Sequence, residues 1–149
     1  VQDRAIYMGL DTVVVGDLRH IEDQVHEDGL CHIMPLDPYA KPLPCNGVVG
    51  LNRPTAQAIW FQFATEVAMD NAVEQADYFM FGRFSEMVWL RHNAKQTATW
   101  DALTPGEVQS YKVDLERGDP GEDVSIVYFH GDPKPTELSH KKWIAEAWA

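Results

Sequence analysis

Asp11 and His130 are the side chains whose setting most invites chemistry. Ala5 to Met8 is a short apolar run, Thr12 to Val15 is a second and β-branched one, and Asp11 emerges between them. A lone carboxylate at such a place is costly unless it is paired, hydrogen-bonded or bound to a cation. Capping the backbone of a turn is the plainer alternative. His130 ends another apolar run that starts at Val124, and Lys134 follows in a loop bracketed by Pro133 and Pro135. A structural histidine is the commoner meaning of such a residue. Carboxylate oxygen and imidazole nitrogen are also donors that Mn²⁺ accepts, and a neighbouring lysine supplies a point charge.

The elements that must position these residues follow from patterning. Ala5–Met8 and Thr12–Val15 read as strands, and Gly16-Asp17 breaks the second. Residues 19–29 are polar and acidic and read as a helical turn and loop with a solvated face, their histidines included. Leu30 to Leu36 is a predicted strand, and a proline-punctuated loop runs from Asp37 through Pro44, the kind of segment that forms site walls. Asn46-Gly47 favours a tight turn before a strand over Val48–Leu51. Asn52 and Pro54 mark a helix start, and Ala56, Ile59, Trp60, Phe63, Ala64 and Val67 form a core-facing stripe that ends near Asp70-Asn71. Residues 73–83 are mixed, and Phe84 to His92 is a second helix burying Met87, Val88 and Leu90. Trp100–Leu103 leads into a turn at Thr104-Pro105-Gly106. Ser110 to Val113 alternates as a half-buried strand, 116–123 is a charged loop, Val124 to His130 is a buried strand, and Lys141 to Trp148 is a short amphipathic helix.

Composition narrows the classes. The chain has 149 residues, enough for a single domain over 1–149 with a real core. Twelve Lys and Arg against 23 Asp and Glu give a net charge of −11, which repels nucleic acid and anionic membrane. No segment is long and apolar enough to span a bilayer, and the opening residues carry no signal-peptide pattern. Cys31 and Cys45 offer no disulfide framework and suit a reducing, cytoplasmic setting.

Two motifs carry a resemblance. Tyr7-Met-Gly-Leu-Asp11-Thr-Val-Val-Val-Gly-Asp-Leu18 resembles the D-x-D strand of GT-A-fold nucleotide-sugar glycosyltransferases, the glycogenin-like ones in particular, with Gly9 standing where the family has its first Asp. His130-Gly-Asp-Pro-Lys134-Pro is similar to the late His-Gly-x-Pro-Lys-Pro signature of bacterial and phage glycosyltransferase-like proteins. The resemblance implies an α/β fold with an incomplete GT-A-like mixed sheet and flanking helices. It implies Asp11 and His130 as ligands of Mn²⁺ or Mg²⁺, Lys134 as a diphosphate contact, and Asn46, Gly47 and Gly131 on the donor sugar side. Glu86 stands where the family places an Asp-Gln pair facing the acceptor, and would orient or deprotonate an acceptor hydroxyl.

The implied activity is transfer of a sugar from a nucleotide-sugar donor to an acceptor. The alternative is a non-catalytic, glycosyltransferase-derived structural or interaction subunit. In the family the base-binding strands precede the D-x-D strand, and here almost nothing precedes Ala5. A parallel sheet beginning at Ala5 would therefore carry an exposed edge, to be completed by another chain or by a preceding segment. Asp11 and His130 are expected to converge, each following an apolar strand, with those two strands side by side.

Overall fold

Two small mixed sheets share one apolar core in the computed structural model, which describes residues 3–65 and 86–147. The first contains β1 (Arg4–Met8), β3 (His32–Met34), β4 (Val48–Asn52) and β5 (Ala98–Thr99), in the order β1-β4-β3-β5. β4 runs antiparallel to both β1 and β3, with Tyr7 opposite Val49, while β5 runs parallel to β3. The second contains β2 (Thr12–Val14), β6 (Val108–Ser110) and β7 (Ile126–Tyr128), with β7 central, antiparallel to β2 and parallel to β6. The helices are α1 (Arg19–Gln24), α2 (Arg53–Phe63), α3 (Glu86–Asn93), α4 (Trp100–Leu103) and α5 (Lys142–Ala147), with a 3₁₀ turn at Pro135–Leu138. The chain is therefore mixed α/β. The expected pairing is corrected in one respect: the strand beside the His130 strand is the one that follows Asp11, because β1 instead pairs with β4.

Side-chain alternation along the strands explains the layers. Ile33, Val48, Ile126 and Tyr128 point into the core between the sheets, where they meet Ile21, Val25 and Trp100. Their neighbours Met34 and Val49 point the other way, toward Trp89 and Leu90 of α3 and the partly buried Ile59 and Phe63 of α2. Val13 and Val127 face a third cluster with Tyr111, Phe129 and Ile144 of α5. Strands buried on both faces read as continuous apolar runs, and this is how they appear in the sequence.

Several local expectations shift. Residues 19–29 are polar in composition, yet α1 buries Ile21 and the following Val25 completely in the central core. On α2 the inward face is narrower than the predicted stripe: Trp60 is 64% exposed, because one residue step turns it about 100° away from Ile59. Val67, the predicted end at Asp70-Asn71 and the stretch 73–83 lie outside the described residues. The predicted strand over Ser110–Val113 is displaced, since β6 ends at Ser110, where the Asp114 carboxylate accepts the Ser110 N–H at 2.7 Å and the Asp114 N–H donates to the Ser110 carbonyl at 3.0 Å. Past the Tyr111 N–H, which still donates to the Tyr128 carbonyl at 3.0 Å, that local closure takes over from the ladder.

Asn52 is a buried joint. Its Oδ1 accepts the Thr55 N–H at 3.1 Å and caps α2, while its Nδ2 reaches the carbonyls of His26, Glu27 and Gly29. Gly50 makes room for Trp100: a Cβ there would lie 2.6 Å from Trp100 Cζ2 and 2.9 Å from Val25 Cγ2. Gly50→Ala is therefore expected to cost about 1–3 kcal/mol by overpacking. Gly121→Ala, where no atom lies within 4 Å, should leave stability nearly unchanged. Urea unfolding midpoints compare the two directly, and equal midpoints would contradict the packing.

Candidate functional site

The ladder between β2 and β7 brings the two strand-end residues together. Thr12 is opposite Tyr128, and one step further the Phe129 N–H donates to the Asp11 carbonyl at 3.0 Å. Asp11 and His130 thus sit at one end of the second sheet. The Asp11 carboxylate is occupied by the chain itself: Lys134 Nζ donates to Oδ2 at 2.6 Å, both side chains being about a third to a half exposed (34% and 44%). This contact raises the Lys134 ammonium above its ordinary value, the hydrogen bond to Asp11 being the main cause.

His130 lies between two aromatic rings. Tyr128 meets it edge-on at 4.9 Å between centroids and Tyr39 does so at 5.6 Å. Its Nε2 is buried without a hydrogen-bond partner. Burial holds the imidazole below its ordinary pKa, against the pull of the Asp37 and Asp11 carboxylates, and the Lys112 ammonium adds to the lowering. Behind it, burial pushes the Cys45 thiol up to about 11 and also raises the Tyr128 phenol, so the floor of the site is uncharged at neutral pH.

The proline-rich loop forms one wall. The Arg91 guanidinium of α3 pairs with the Asp37 carboxylate in a nearly buried contact and donates from Nε to the Pro44 carbonyl at 2.7 Å. Asp37 Oδ1 accepts the Tyr39 N–H at 2.9 Å, which holds the exposed Tyr39 over His130. Residue patterning had marked this loop as a wall, but nothing in the spacing of Asp37, Tyr39 and Arg91 announced their contact.

The other expected residues fall as follows. Gly47 presents its carbonyl to the Gly9 N–H (3.0 Å) and the Thr12 hydroxyl (3.4 Å), and a Cβ on it would lie 3.0 Å from the Tyr128 ring. Its bare backbone is thus a packing requirement of the floor. Asn46 is half-buried in the bend just before it. Gly131 adopts φ of +61° beside Lys112. Glu86 is the first residue of α3, and its side chain lies outside the described residues. Among the described residues no three His, Cys, Asp or Glu side chains gather as a protein-only metal centre, and no helix is long and apolar enough to cross a membrane. Comparison with protein-family models, curated proteins and solved structures gives no match.

Two histidines set a pH dependence. Burial lowers the pKa of His130, and of His32, whose ring nitrogens both lack hydrogen-bond partners. The unfolded chain therefore binds more protons than the folded one once pH falls below about 6.5. Stability contributed by the neutral rings is full above that value and is lost as pH falls through the lower folded-state values. Urea midpoints measured from about pH 7.5 to about pH 5 should decline, and His32→Leu should flatten that decline. An identical slope in His32→Leu would refute the assignment.

Proposed function

We propose that this chain is a nucleotide-sugar-dependent glycosyltransferase, an incomplete GT-A-like domain in which Asp11 and His130 hold Mn²⁺ or Mg²⁺. The observation that carries the reading is the convergence of Asp11 with a buried, unpartnered His130 Nε2 at one sheet end. The residues fit a divalent cation whose coordination is completed by ligand oxygen. His130 is kept neutral by burial, so its lone pair is available, and the Asp11–Lys134 contact is exposed enough to exchange. The metal, when bound, would offset the negative charge that grows on the leaving diphosphate.

The chain's own residues would do the rest. With Asp11 holding the cation, the Lys134 ammonium would be free for a phosphoryl oxygen. Tyr39 and Tyr128 hold the imidazole plane. Asn46, Gly47 and Gly131 line the donor sugar side, and Glu86 orients or deprotonates the acceptor hydroxyl.

A second reading, a non-catalytic interaction subunit, draws on β1. This strand is a sheet edge with Tyr7 51% exposed, beside a cavity of about 550 Å³ bounded by Ile6, Met8, Leu18 and Val25. An added strand from another chain or a preceding segment would satisfy that edge.

Thermal unfolding separates the two. Millimolar Mn²⁺ should raise the Tm, and further with uridine or guanosine diphosphate present. Ligand at a hundred times its Kd stabilises by about 2.7 kcal/mol. Asp11→Ala and His130→Ala should each abolish the increment. No shift in the wild type would transfer the case to the interaction subunit.

A further inference from the structure

The three carboxylates that act on His130 are engaged: Asp11 with Lys134, Asp37 with Arg91 and the Tyr39 N–H, and Asp114 with the Ser110 N–H. One cation there is not. Lys112 is half-buried in the turn after β6, close enough to His130 to act on its charge. Among the described residues it makes no hydrogen bond or ion pair. Its ammonium faces Gly131, where a Cβ would stand 3.8 Å from Nζ. The missing side chain leaves open the space in which an anion would touch this lysine. A half-buried lysine that faces open space without a carboxylate partner is placed to meet an anion.

The geometry points to Lys112 as a second phosphate-binding cation, which takes phosphoryl oxygens across Gly131 and acts together with Lys134 of the same loop. The ligand's identity as the diphosphate of a sugar donor rests on the reading above, whereas the contact itself requires only a diphosphate. Two lysines on one diphosphate would also relieve the acidic surface's repulsion of an anionic donor. Lys134 is available only once Asp11 releases it, so Lys112 is the cation that meets the anion first.

Calorimetric titration of the whole chain with inorganic pyrophosphate, without metal and at low salt, tests this. Lys112→Gln should weaken pyrophosphate binding about tenfold or more, the size of a lost hydrogen bond between charged partners. Lys112→Arg should largely keep it. Gly131→Ala should weaken it too, and Lys112→Gln decides the matter if that variant fails to fold. The Mn²⁺-dependent rise in Tm should survive in Lys112→Gln. Equal affinity of Lys112→Gln and wild type, or no pyrophosphate binding by the wild type, would overturn the assignment. Loss of binding in Lys112→Gln, with no response of the wild type to Mn²⁺ and nucleoside diphosphate, would keep Lys112 as an anion site and overturn the glycosyltransferase reading instead.

Discussion

The short antiparallel ladder between β2 and β7 is the constraint on which the rest depends. It joins the start of the chain to its last third, and its continuation from the Phe129 N–H to the Asp11 carbonyl places a carboxylate and an imidazole at one end. Such pairing is non-local, so its closure entropy must be offset by burial. The offset is visible on both faces: Ile126 and Tyr128 in the central core, Val13 and Val127 in the outer one. Trp100 ties this to the other sheet, being fully buried among both sets of strands and donating from its indole N–H to the Val48 carbonyl at 3.0 Å. The site is thus placed by the core and not by its own polar contacts.

Two ion pairs near His130 show how burial divides their roles. Asp37–Arg91 is nearly inaccessible, and breaking it would strand a charge away from water, so it fixes the loop that carries Tyr39 to α3. Asp11–Lys134 is open to solvent, where such a pair contributes about 0–1 kcal/mol and exchanges partners readily. One pair holds geometry; the other is an exchangeable surface contact. Neither role follows from the residue types, which are an acid and a base in both cases.

Much of the fold was legible because it is written in local pattern. The apolar runs at β1, β2, β3, β4 and β7, the Asn52 cap with Pro54, and the turn at Thr104-Pro105-Gly106 all have short-range physical causes. What was not legible is relational. No run states which strand it will lie beside, so the division into two sheets was missed. Ile21 and Val25 are four apart, one face of a helix, but the charged residues around them concealed that spacing. At the site the strand-end positions of Asp11 and His130 could be read, whereas the placement of Lys112 was hidden by a strand expected over Ser110–Val113, where the chain turns instead. Read as a strand residue it alternates with Tyr111; in the turn closed by Asp114 it comes round to Gly131.

Gly9 decides the charge state of this end of the sheet. A Cβ at that position would lie 3.1 Å from Asp11 Oδ1, so an aspartate there would set a second carboxylate against the first. Two such carboxylates with Lys134 as their near cation would carry an excess negative charge, relieved by protonating one or by binding a divalent ion. With glycine, Asp11 and Lys134 balance one for one. The Gly9 N–H donates to the Gly47 carbonyl, whose residue in turn packs on the Tyr128 ring. The Asp11–Lys134 pair and the Gly9–Gly47 contact thus hold this end of the sheet to the Tyr128 floor through the chain's own groups.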